Sequence, residues 1–101
     1  MSATTDELMR AISDPLRRQI VELLATEQLC TCHLVERTGA RQTNLSNHLR
    51  VLRDAGLVKT EAAGRYTYYQ VRPETLASLA RTLSALAVKA RKAEQIRRPC
   101  P

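Results

Sequence analysis

The feature that most constrains this chain is the change of period at Gly56. Before it, Leu45, Leu49 and Leu52 recur at helical spacing, which predicts a helix from Asn44 to Ala55 stopped by that glycine. After it, LVKTEAAGRYTYYQV alternates, with tyrosine and β-branched residues in its second half. The spacing predicts strands at about 57–61 and 66–71, joined around Ala62, Ala63, Gly64 and Arg65. Ahead of the ARQT turn, a helix over roughly 32–38 ends at Gly39, where a left-handed residue is cheap. Two helices joined by a short glycine-containing turn form a helix-turn-helix. The hairpin behind them is then a wing.

The flanks complete a mainly α chain with one small β-hairpin. Residues 5–12 form a short helix with Leu8, Ala11 and Ile12 on one face. Asp14 followed by Pro15 is a start signal, an N-cap and a first-turn proline, for a helix reaching about Ala25 with Leu16, Ile20, Leu23 and Leu24 inward. Pro73 opens a long helix to about Ala93 with Leu76, Leu79, Ala80, Leu83, Leu86, Ala87 and Ala90 in one stripe. Because the middle helices already supply a core, that stripe reads as a dimer surface. At 101 residues the chain is expected to hold one domain, residues 1–93, followed by a basic tail, 94–101, without fixed order.

Charge is distributed unevenly. Residues 1–36 carry three basic and six acidic side chains, residues 37–65 six and two, and residues 66–101 seven and two, for a total of +6. The surplus begins at Arg37, which points to a polyanionic partner, most simply nucleic acid. No apolar run approaches the roughly 18 residues that span a bilayer, and MSATTDELMR has acids where a signal peptide has bases. The expectation is a cytoplasmic protein with no membrane partner. In a reducing compartment, three cysteines favour metal or redox chemistry over a disulfide framework.

On the helix after the ARQT turn, the positions left free by the three leucines carry side chains that bond base edges and phosphates. They are Gln42, Thr43, Asn44, Ser46, Asn47, His48 and Arg50, with Arg41 just ahead. No acid lies between Arg41 and Arg53, as a helix lying between phosphate strands requires. Lys59 and the wing-tip Arg65 complete the expected contacts with double-stranded operator DNA. Cys32 beside His33 has no third orienting group, so no enzyme and no organic small-molecule substrate are expected.

ISDPLRRQIVELL, QLCTCHLVERTG, TNLSNHLRVLRDAGLV and GRYTYYQV, in this order, resemble the ArsR/SmtB family of metal- and metalloid-responsive bacterial repressors over roughly residues 8–92. The resemblance implies a winged-helix homodimer paired through its first and last helices and released from its operator by an inducer ion. It assigns Leu8 and Ile12, with Leu76, Leu79, Leu83 and Leu86, to the subunit seam. QLCTCHL is similar to the ELCVCDL motif of the arsenic-responsive branch, which implies thiolate roles for Cys30 and Cys32. Gln28 stands where that motif has an acid, His33 where it has Asp, and Val35 where some relatives have a further cysteine. Relatives with a wing cysteine differ from this chain at Ala62 and Ala63, which leaves Cys100 as the remaining thiol. The zinc site that other members carry on the last helix is not expected, since residues 73–92 hold no His and only Glu74 as an acid.

Two residues apart on an ideal helix is about 200° of rotation, so chelation by Cys30 and Cys32 requires the segment Leu29–Cys32 to be unwound. Soft thiolates suit arsenite or antimonite as inducer; cadmium or zinc, with help from His33, is the alternative. A redox or persulfide switch on the same pair stays open.

Overall fold

The computed structural model describes residues 3–101. In chain order these form α1 (Thr5–Ser13), α2 (Pro15–Leu24), β1 (Leu29–Cys30), α3 (Thr31–Thr38), α4 (Gln42–Asp54), β2 (Val58–Ala63), β3 (Tyr66–Val71) and α5 (Pro73–Ala93).

Local chemistry sets the boundaries. The Asp14 carboxylate accepts from the Arg17 N–H at 3.0 Å and Pro15 occupies the first turn of α2. That same N–H is the main reason the Asp14 carboxyl lies below its ordinary range. Gly39 closes α3 in the left-handed region, φ 71°, with its N–H on the Val35 carbonyl at 2.9 Å. Gly64, φ 63°, takes the first position of a two-residue hairpin turn, fixed by the pairing of Ala63 with Tyr66. The helix after the turn begins at Gln42, two residues earlier than its apolar pattern indicated, with Arg41 as N-cap.

The sheet holds the main departure from expectation. It has three strands in the order β1-β3-β2, all antiparallel. Leu29 pairs with Tyr69 and Cys30 with Tyr68, so the segment ahead of α3 is tied to the wing rather than being the opening turn of a helix. A two-residue strand has no periodicity to read, and its partner lies far along the chain.

The core gathers Ile20 of α2, Leu29, Leu34 of α3, Leu45, Leu49 and Leu52 of α4, and Leu57 and Val58 at the start of the wing. Each buried leucine contributes roughly 1.5–3 kcal/mol of transfer free energy. The start of α5 is anchored to the end of α4: the Thr75 hydroxyl donates to the Gly56 carbonyl at 2.7 Å, and the Arg72 N–H to the Leu57 carbonyl at 2.8 Å.

Two residues expected at a subunit seam are instead buried within one chain. Leu8 and Leu79 belong to the core cluster, because α1 packs on the first turns of α5. Ile12 and Leu76 are half-buried against the same cluster. Beyond Leu79, α5 leaves the body. Leu83 is 51% and Leu86 54% exposed, and Val88 is exposed as well. The radius of gyration is 17.4 Å, against about 13 Å for a compact chain of about 100 residues. The projecting helix accounts for the excess.

Candidate functional site

The α3–turn–α4 unit is rigid where it meets the core and polar where it does not. Leu45, Leu49 and Leu52 point inward, while Arg41, Gln42, Thr43, Asn44, Ser46, Asn47 and Arg50 are all exposed. Arg41 makes no side-chain cap bond, and the first turn of α4 carries no acid. The first-turn N–H groups and the Arg41 cation therefore face the same solvent, an arrangement that suits a phosphate. Lys59 and Arg65 are exposed on the wing, where β2 and β3 stay paired out to the turn.

His48 is the exception among the expected DNA-facing residues. Its side chain is only 18% exposed, with Nδ1 3.0 Å from Arg17 Nη1 and 3.8 Å from the Asp14 carboxylate. Arg17 also donates through Nε to the Ala11 carbonyl at 2.6 Å and through Nη2 to the Arg10 carbonyl at 3.2 Å. One guanidinium thus satisfies two carbonyls at the end of α1 and holds α4 through His48. His48 positions the recognition helix rather than facing a base. Its spacing on the polar face gave no hint of this, because the partner lies on α2.

The cysteines are separated by environment. Cys30, in β1 and at the N-cap of α3, is 7% exposed; Cys32, in the first turn of α3, and Cys100, beyond α5, are exposed. Since Cys30 is extended (φ −88°, ψ 170°) and not helical, the opposite-faces expectation for Cys30 and Cys32 does not apply. The ring of His33 lies against the Cys30 sulfur, Nδ1 to Sγ 3.2 Å, and the same nitrogen accepts the Cys30 N–H at 3.3 Å. This is the return half of a capping box, with His at the third helical position where Glu or Gln is usual. The spacing of Cys30 and His33 carried that signal in the sequence. Among the described residues, no three or more metal-ligating side chains are gathered in this conformation.

If Arg50 and Arg65 each meet one phosphate, Arg50→Ala and Arg65→Ala should each lower the log–log salt slope of DNA binding by about 0.9. Fluorescence anisotropy across a salt series measures this, and two unchanged slopes would exclude the docking.

A tri-helical unit whose exposed third-position helix is polar and acid-poor, followed by a paired basic hairpin, defines the winged helix-turn-helix class of DNA-binding proteins. Comparison with known proteins narrows it. Residues 14–60 match the family described as "Bacterial regulatory protein, arsR family". The arsenical resistance operon repressor of Bacillus subtilis is 34% identical over 87 residues, covering 78% of this chain and 83% of that protein. The transcriptional repressor SmtB of Mycobacterium tuberculosis is 37% identical over 73 residues, 72% of this chain and 54% of that protein. A solved structure described as a possible transcriptional regulator for arsenical resistance superposes with a TM-score of 0.71 at 29% identity, covering 88% of this chain and 96% of the other. The chain belongs to the ArsR family; it is a DNA-binding transcriptional regulator and not an enzyme. No helix among the described residues is long and apolar enough to cross a membrane.

Proposed function

We propose that this protein is a metalloid-responsive repressor that binds its operator as a homodimer and is released when arsenite or antimonite is captured by Cys30 and Cys32. The observation that carries this reading is the placement of Cys30. It is buried at the junction of β1 and α3, and Cys32 follows in the first turn of the helix that packs on α4. A trivalent ion held by both thiolates must open that junction, and the opened state differs from the DNA-binding state next to the recognition helix. A ligand shifts a two-state equilibrium only through such a differential interaction. The donor set fits a thiophilic ion. Cys100, exposed in the tail, is available as a third thiolate to either subunit. Support for the arsenical assignment comes from the printed functions of relatives and from the similarity of QLCTCHL to the arsenic-branch motif. The exposed leucines of α5 support the dimer, and its two recognition helices call for an inverted-repeat operator with half-sites about 10 base pairs apart or a multiple.

The test is operator release measured side by side for arsenite, antimonite, cadmium, zinc and peroxide. The parent should respond to arsenite at low stoichiometry. Cys30→Ser and Cys32→Ser should bind operator within about threefold of the parent in the absence of inducer, an affinity ratio worth less than 1 kcal/mol. Neither should be released by arsenite. Cys100→Ser should lose only part of the response. Release by peroxide alone would replace this reading with a thiol switch, and a Cys32→Ser protein released at the parental arsenite concentration would refute the assignment.

A further inference from the structure

The side chain seated on the Cys30 sulfur is that of His33, a position where the arsenic-branch motif has Asp and so no ring nitrogen. We infer that Cys30 and His33 form a nitrogen–sulfur half-site for a borderline divalent cation, zinc(II) or cadmium(II), and that ligation by His33 removes the N-terminal cap of α3. The inference rests on the reading of Cys30 as an inducer ligand and adds a second class of ion to it.

The geometry is close to that of a chelate. In a tetrahedral zinc site with Zn–S near 2.3 Å and Zn–N near 2.0–2.1 Å, the sulfur and nitrogen lie about 3.5 Å apart. Nδ1 and Sγ are 3.2 Å apart here, so a few tenths of an ångström of opening admits an ion between them. Trivalent arsenic gains nothing from the imidazole, whereas zinc and cadmium accept sulfur and nitrogen donors together. The thiol S–H bond breaks as the metal–sulfur bond forms, and the proton leaves to solvent. Cys32, exposed one residue ahead of His33, supplies a further thiolate once the turn opens.

Binding and signalling share one atom. Nδ1 has a single lone pair, directed in the free protein at the Cys30 N–H. A nitrogen that ligates a cation can no longer accept that hydrogen bond, so α3 loses its return cap. The helix has only eight residues, and no side chain other than that of His33 is positioned to replace the bond. A short helix with a lost cap frays at its first turn. Its packing partner is α4, so fraying there disturbs the recognition helix.

His33→Gln separates the two roles, because Gln at the third helical position can accept the N-cap N–H but carries no imidazole. With the reduced full-length protein, cobalt(II) is the spectroscopic probe and zinc(II) is measured by competition. The parent should show thiolate-to-cobalt charge transfer together with intense tetrahedral d–d bands. His33→Gln should retain operator affinity and release by arsenite. It should lose zinc affinity by at least about a hundredfold, beyond the 10–100-fold usual for losing a mere second-layer contact, and it should lose zinc-driven release as well. Zinc affinity within threefold of the parent would overturn the inference. So would an equal loss of the arsenite and zinc responses, which would show His33 to be structural only. Zinc binding through His33 in a protein indifferent to arsenite would leave the half-site standing and remove the metalloid reading.

Discussion

Replacing Leu83 and Leu86 together with aspartate is expected to give a folded chain that sediments as a monomer and binds operator about 10²–10⁴-fold more weakly, the advantage that two linked half-sites confer. Both side chains are about half exposed in the single chain, so the substitution leaves the core intact. In the dimer they would bury unpaired carboxylates, at a cost of several kcal/mol each. Circular dichroism should show an unchanged helical fold beside the altered sedimentation. The design avoids Leu79, whose burial against α1 would confound assembly with folding. A dimer that survives the double substitution would mean that α5 pairs through another face or not at all.

The second large effect concerns stability. Leu34 is fully buried on α3, between the core and the recognition helix. Leu34→Ala should cost about 2–5 kcal/mol. For a domain of this size each kcal/mol moves Tm by about 4–8 °C, so the expected drop is on the order of 8–40 °C. Scanning calorimetry of the reduced protein measures it. A shift below about 4 °C would mean that the site collapses around the smaller side chain and that α3 is more loosely packed than its burial indicates.

The sequence carried the helices and the hairpin well, for identifiable reasons. Asp14 with Pro15, Gly39 and Gly64 are local signals, each answered in the structure by a cap bond or a positive φ. What it did not carry depends on partners distant in sequence. β1 is strand only because Tyr68 and Tyr69 are there to pair with it. His48 occupies a polar-face position on α4, yet Arg17 and Asp14 determine what it does. The α5 stripe was visible as a stripe, but spacing cannot say that Leu79 meets its own α1 while Leu83 and Leu86 meet solvent. Of the thiol segment, Cys30 and Cys32 were evident and the seat of His33 on Cys30 was not, although a capping box with His in place of Glu or Gln would have indicated it.

The pairing of Cys30 with Tyr68 also orders events at the ribosome. Chain growth runs from the N-terminus, so α2, α3 and α4 are complete well before Tyr68 and Tyr69 are added. Until then Leu29 and Cys30 have no strand to join. Antiparallel closure across this much chain carries the loop entropy that local hairpins escape. A nascent chain that has exposed its recognition helix therefore does not yet possess the sheet that shelters Cys30. Sensing matures after DNA reading within the same polypeptide, and a chain truncated ahead of the wing would keep its thiols but not their setting.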